Sequence, residues 1–89
     1  MQTKIAIVEN ELDLALNIRE ELEVVGYEVT DTVTSGEAAI AAAESNRPDL
    51  ILMNIRLTGK LDSIETATIL RERFQIPTVY IMASNAPVL

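Results

Sequence analysis

Cysteine and histidine are both absent from this chain of 89 residues. Without cysteine the protein has no disulfide bond and no thiolate metal site, and without histidine it lacks the commonest general base and metal ligand. Aromatic residues make up only 3% of the sequence, so the core has to be built from Ile, Leu, Val and Ala. We therefore expect one small aliphatic domain that uses neither thiol nor imidazole chemistry.

Basic residues are scarce as well. The sequence has 7 Lys and Arg against 14 Asp and Glu, which gives a net charge of −7. Binding to nucleic acid or to an anionic membrane needs clustered basic side chains, so neither partner is expected. No apolar run approaches the ~18 residues of a membrane-spanning helix, and the start "MQTKIAIVEN" is too short and too polar for a signal peptide. These features predict a soluble, cytoplasmic protein.

Short β-branched runs alternate with helical stretches along the chain. Leu14, Ile18 and Leu22, for example, are spaced as on one face of a helix. The predicted strands cover 4–8, 27–33, 50–55 and 78–83, and the predicted helices lie within 9–26, 34–46 and 62–74. This β-α-β-α-β-α-β order indicates a parallel sheet with crossover helices, in a single domain over 1–89.

Two helix starts have the spacing of a capping box, in which an N-cap side chain and an acid three residues later each bond the other's backbone. Thr34 stands three residues before Glu37, and Asp62 three residues before Glu65. The pattern predicts that Thr34 and Asp62 begin the second and third helices.

Polar residues follow the predicted strands at the edge where ligands usually bind. In open parallel sheets this edge is formed by the carboxyl ends of the strands. The candidate residues there are Glu9, Asn10, Asn54, Ser84 and Asn85. Plainer alternatives stay open at this point: Glu9 and Asn10 cap the first helix, and Asn54 bonds the neighbouring loop. The plain alternative for Met82 is a place in the core.

The order of these motifs resembles the receiver domain of two-component response regulators. The resemblance covers "KIAIVENELDLALNIREELEVVGYEVTDTVTSGEAAIAAAESNRPDLILMNIRLTGKLDSIETATILRERFQIPTVYIMAS", residues 4–84. It rests on the acidic cluster after the first strand, on "PDLILM" before the phospho-acceptor position, on "LDSIE" and on "IPTVYIMA". It implies a CheY-like, flavodoxin-like α/β fold of three layers and a non-enzymatic module of a phosphorelay.

The resemblance also assigns positions in the family's site. Typical receivers take a phosphoryl group from a histidine kinase onto an Asp, with Mg²⁺ held by an acidic pair and by a backbone carbonyl. Here Asn54 occupies the acceptor position, Glu9 and Asn10 the acidic pair, and Met82 the hydroxyl-bearing switch position. The candidate metal ligands are Glu9 and the backbone carbonyl of Arg56.

The family's last strand, with its Lys, and its last two helices have no counterpart in the sequence. We therefore expect a truncated receiver with strand order 2-1-3-4. Lys60 is a further candidate to replace the missing Lys, although nothing in its position directs it into the site. With strand four left as an apolar edge, the chain is expected to form a homo-oligomer through 78–83 or through the uncovered sheet face.

These departures suggest a receiver that does not accept phosphate in the usual way, because an amide is a poor nucleophile. Mg²⁺ binding is expected to be weak or absent, no other cofactor is expected, and the function would be exerted through protein contacts, with a histidine kinase as one candidate partner. One alternative is a fragment or an acceptor-site variant of an ordinary phospho-accepting regulator. Another is a small flavodoxin-like nucleotide binder or enzyme, although no glycine-rich phosphate loop follows the first strand.

Overall fold

The computed structural model describes residues 2–57 and 59–82. Four strands and three helices alternate along these residues, as the sequence predicts. Their bounds are β1 Lys4–Val8, α1 Leu12–Val24, β2 Glu28–Val33, α2 Gly36–Asn46, β3 Leu50–Asn54, α3 Ser63–Phe74 and β4 Thr78–Ile81. The prediction that β4 includes Met82 is wrong, since the strand ends one residue earlier.

The four strands form one parallel sheet in the order β2-β1-β3-β4, which confirms the predicted topology. β1 and β3 are central. Four of the five residues of β1 are buried, whereas Leu50 and Leu52 of β3 are only half-buried. α1 packs on one face of the sheet, and α2 and α3 pack together on the other, as expected for the right-handed crossovers of parallel sheets. The result is the three-layer CheY-like α/β architecture that the sequence indicates.

The larger half of the core lies between the sheet and the pair α2 and α3. Alternate residues of the central strands point to this side, and small residues of α2 let the helix approach them closely. The cluster consists of Ala6, Val8, Ile51 and Met53 from the strands and Ala39, Ala43, Leu57, Leu70 and Ile76 from the elements above them. Ile5, Ile7 and Ala15 are buried outside this cluster and form the smaller core beneath α1.

The two predicted helix starts have different outcomes. Asp62 is the N-cap of α3 and forms the complete capping box with Glu65, as predicted. The N-cap of α2 is Ser35, whose Oγ accepts a hydrogen bond from the Ala38 N–H at 3.1 Å. The prediction of Thr34 is therefore wrong by one residue, because the adjacent hydroxyl has the extended backbone that capping requires.

α2 and α3 pack closely at Gly36, the first residue of α2. A Cβ built on Gly36 would collide with the hydroxyl of Thr66, which is fully buried in α3. Glycine is therefore required at this position by the approach of the second helix rather than by its backbone angles. None of the helices described by the structure combines the length and apolar character needed to cross a membrane.

Candidate functional site

Glu9 and Asn54 lie side by side at the carboxyl edge of the sheet. Glu9 directly follows β1, and Asn54 is the last residue of β3. The register pairs Val8 with Met53, the residues that precede them. Both side chains are buried, with exposed fractions of 0% for Glu9 and 8% for Asn54. The structure therefore brings together two of the residues that the sequence selects, at the edge where it expects them.

The Asn54 amide is hydrogen-bonded through both of its polar atoms. Its Nδ2 donates to Glu9 Oε1 at 2.8 Å and, over a longer distance of 3.3 Å, to Asn10 Oδ1. Its Oδ1 accepts the Arg56 N–H at 2.8 Å. This orientation is the one that satisfies the partners, since a carboxylate only accepts and a backbone N–H only donates.

The carboxylate of Glu9 is also paired at both oxygens. Its Oε2 accepts the Glu11 N–H at 2.8 Å, and Glu11 is the N-cap of α1. Burial of an ionised group is tolerable only when hydrogen bonds replace the lost water. The negative charge lies beside the positive end of the α1 dipole as well. Of the plainer alternatives, Glu9 does bond the start of α1, whereas Asn10 is not its N-cap.

Ser63 belongs to the site although sequence reasoning did not select it. Its Oγ donates to the Asn54 carbonyl oxygen at 2.7 Å and accepts the Leu57 N–H at 3.2 Å, and the residue is 1% exposed. The first residue of α3 thus holds the end of β3 and the loop that follows it. The motif "LDSIE" contains this serine, but only the capping pattern around it could be recognised from the sequence.

The remaining candidates lie farther from this network. Met82, which the resemblance assigns to the switch position, is 62% exposed just after β4, so its alternative as a core residue is wrong. Arg56 is exposed and contributes its backbone N–H to Asn54. Ser84 and Asn85 lie outside the described residues. Within residues 2–57 and 59–82, no three acidic side chains are grouped closely enough to hold a metal ion.

Lys60 acts on another acid, Glu37 of α2. The pKa of Glu37 is lowered chiefly by a hydrogen bond from its own backbone N–H, and further by the Leu61 N–H, the Ser35 side chain and the charge of Lys60. The Leu61 N–H donates to Glu37 Oε1 at 3.1 Å. Glu37 therefore fixes the β3–α3 loop to the start of α2, and Lys60 supports this contact.

A parallel sheet in this order, with a polar site at the ends of its two central strands, is the architecture of the CheY-like signalling domains. The chain matches the family model of the response regulator receiver domain over residues 5–88. It therefore belongs to the receiver-domain family of two-component signalling, which confirms the resemblance seen in the sequence.

Individual relatives support the same assignment. The chain is 35% identical to the alkaline phosphatase synthesis transcriptional regulatory protein PhoP of Bacillus subtilis, over 96% of its own length and 35% of that protein. It is 33% identical to the phyllosphere-induced regulator PhyR of Methylorubrum extorquens, over 93% of the chain and 32% of that protein. The chain thus spans about a third of the length of these curated relatives.

The fold also matches solved receiver structures. The signal receiver domain of a modulated diguanylate cyclase from Desulfovibrio desulfuricans has a TM-score of 0.88 and 36% identity, covering 94% of this chain and 67% of that one. The N-terminal domain of a response regulator/sensory box/GGDEF protein from Carboxydothermus hydrogenoformans has a TM-score of 0.84 and 34% identity, covering 98% and 70%.

Proposed function

We propose that this receiver domain does not accept a phosphoryl group in the usual way and acts through protein contacts. The observation that supports this most strongly is the state of Asn54 at the acceptor position, where both polar atoms of its amide are hydrogen-bonded. Phosphoryl acceptance requires an oxygen nucleophile to attack phosphorus. A neutral amide whose oxygen already accepts a backbone N–H is poorly suited to this role.

The residues present also fit Mg²⁺ poorly, although the family binds this ion. Mg²⁺ prefers carboxylate oxygens and water in nearly octahedral geometry. Glu9 supplies one carboxylate, and both of its oxygens already accept N–H groups. The Asn54 Nδ2 turns its hydrogen atoms, which carry partial positive charge, toward Glu9 and Asn10. The carbonyl of Arg56 would be left as a ligand without a second carboxylate, so we assign no step to a metal ion here.

The proposal is tested by incubating the purified protein with acetyl phosphate and Mg²⁺ and measuring its intact mass. We expect the mass to stay unchanged. Asn54→Asp should also accept phosphate inefficiently, because Asn10 and Met82 still depart from the family's pattern. Addition of one phosphate to the unaltered protein would overturn the proposal, and efficient acceptance by the single variant would show that Asn10 and Met82 matter little.

We also propose that the partners are proteins, among them a second copy of the chain that binds along β4. β4 has one neighbour among the described strands, β3. The sheet bonds from Ile51 N–H to the Pro77 oxygen and from Ile55 N–H to the Ile81 oxygen turn alternate backbone groups toward β3. Those of Thr78 and Tyr80 then point outward, as in strands that pair edge to edge.

The side chains next to this edge favour association too. Val79 is 48% exposed and Tyr80 39%. A groove of about 290 Å³ runs between β4 and α3, with Ile64 and Tyr80 among its lining residues. We expect light scattering to show a dimer or larger oligomer at micromolar concentration, and Val79→Lys to dissociate it. Val24→Lys, on the exposed end of α1, is the matched control, and a monomer at all concentrations would contradict self-association.

A further inference from the structure

We propose that the Asn54 amide connects the loops at the carboxyl edge in the way that a divalent cation bound there could connect them. The inference rests on the proposed function, since it concerns the same residues. It adds that the loops at the carboxyl edge keep one conformation without metal and without phosphate. Asn54 is then a positioning residue, and the surface formed by the two loops has the same conformation in all of these states.

The first step is that one side chain joins two loops and, through Glu9, also the start of α1. Through Nδ2, Asn54 bonds Glu9 and Asn10 of the β1–α1 loop. Through Oδ1 it bonds the Arg56 N–H of the β3–α3 loop. Glu9 passes the connection on to the start of α1 through the Glu11 N–H. A cation at the ends of two neighbouring strands would connect the same segments by attracting their oxygens.

The second step is that the contact needs a positive group between two oxygen-rich segments. Nδ2 and Glu9 Oε1 are 2.8 Å apart. With a carboxylate at position 54, two negatively charged acceptors would face each other over this distance, and only a proton or a cation could hold them together. The Asn54 amide places N–H hydrogen atoms between the two segments, so no ion is needed to hold them together.

The third step concerns regulation. A bound cation exchanges with the solvent and responds to a phosphoryl group, whereas an amide is part of the chain. Ser63 fixes the same segment from the other side by bonding the Asn54 carbonyl oxygen and the Leu57 N–H. A partner protein that binds the two loops would therefore contact the same surface with or without Mg²⁺. Because that surface also forms without a phosphoryl group, partner binding would not depend on phosphorylation.

The test is hydrogen exchange by NMR in EDTA and in Mg²⁺. The informative amides are those of Glu11 and Arg56, which donate to Glu9 and Asn54. The Ile51 N–H, bonded to Pro77 within the sheet, reports global unfolding. We expect exchange at Glu11 and Arg56 to be equal in the two buffers for the unaltered protein. In Asn54→Ala both amides should exchange about tenfold faster or more, relative to Ile51, in either buffer.

Asn54→Asp provides the opposite pattern. Its two amides should exchange rapidly in EDTA and be slowed by Mg²⁺. Protection of Glu11 or Arg56 that rises with Mg²⁺ in the unaltered protein would overturn the inference without any variant having to fold. A lack of response to Mg²⁺ in folded Asn54→Asp would overturn it as well. Since phosphate addition is measured separately by mass, an inert protein with Mg²⁺-dependent loops would refute this inference and leave the proposed function standing.

Discussion

Replacing Asn54 by aspartate should destabilise the folded protein even though the two side chains have nearly the same shape. The substitution exchanges the Nδ2 group, which donates to Glu9 Oε1 at 2.8 Å, for an oxygen that only accepts. Glu9 is completely buried and Asn54 is 8% exposed, so water cannot replace the lost bond without rearrangement. A stabilising contact therefore becomes a repulsive one.

The cost can be worked out from the geometry. The charge centres of two such carboxylates lie about 4 Å apart, and at an effective dielectric constant of about 20 they repel by about 4 kcal/mol. Loss of a hydrogen bond to a charged group adds about 1.5–3 kcal/mol. Relaxation and proton uptake reduce the sum, so we expect a loss of about 3–5 kcal/mol at pH near 8. The expected loss is a large part of the total, since the free energy of unfolding of a small domain is about 5–15 kcal/mol.

The measurement is urea unfolding followed by circular dichroism in EDTA, across a range of pH. Asn54→Ala is the matched control, because it removes the hydrogen bonds without adding a charge. The aspartate variant should be less stable than the alanine variant at high pH. Equal stability of Asn54→Asp and the unaltered protein at high pH would refute the reasoning.

Three further predictions concern the surroundings of the site. Ser63→Ala leaves two buried backbone groups without partners and should cost about 2–4 kcal/mol in urea unfolding, whereas the exposed Ser45→Ala should cost little. Gly36→Ala should cost about 1–3 kcal/mol through its clash with Thr66, and Thr66→Ala in the same chain should recover part of the loss. The pKa of Glu37 is lowered in the folded state from 4.5, so its stabilisation is complete above that pH and is lost as the pH falls through the lowered pKa. Glu37→Gln should remove this part of the acid dependence of the unfolding midpoint.

Each of these three predictions has an outcome that contradicts it. Equal losses for Ser63→Ala and Ser45→Ala would mean that the buried hydroxyl holds nothing in place. A Gly36→Ala loss that Thr66→Ala does not reduce would place the conflict elsewhere. An unchanged acid dependence in Glu37→Gln would show that the hydrogen bonds to the Glu37 carboxylate, from its own N–H and from the Leu61 N–H, do not persist in solution.

The fold could be predicted from the sequence because its signals are local and repeated. The periods of the apolar residues separate strands from helices, and Asp62 with Glu65 marks a helix start that the structure confirms. At α2 the capping-box spacing favours Thr34, because Glu37 follows three residues later, yet the neighbouring Ser35 is the N-cap. Ser35 has φ −141° and ψ 161°, and the spacing of residue types alone does not encode which of two adjacent hydroxyl residues has the extended backbone of an N-cap.

The candidate site could be predicted only in part. Glu9 and Asn54 can be predicted because each is a polar residue at the carboxyl end of an apolar strand, and the structure confirms that these two strands are neighbours. The role of Ser63 depends on the β3–α3 loop folding back so that a hydroxyl nine residues away reaches the Asn54 carbonyl oxygen. No local period encodes such a contact. The exposure of Met82 likewise depends on what lies beside β4 rather than on the apolar run that contains it.

Glu9 and Asn54 have to be understood as one energetic unit. A buried carboxylate is costly, and an apolar pair of similar volume is often at least as stable, so overall stability alone does not explain why a charge stands there. The carboxylate fixes the relative positions of two segments, since one of its oxygens bonds the start of α1 and the other bonds Asn54. Changing either residue alone leaves the other unsatisfied in the interior. Because Glu9 needs a donor opposite it, the amide at position 54 preserves the arrangement of the edge, and under the proposed function the same amide replaces the nucleophile.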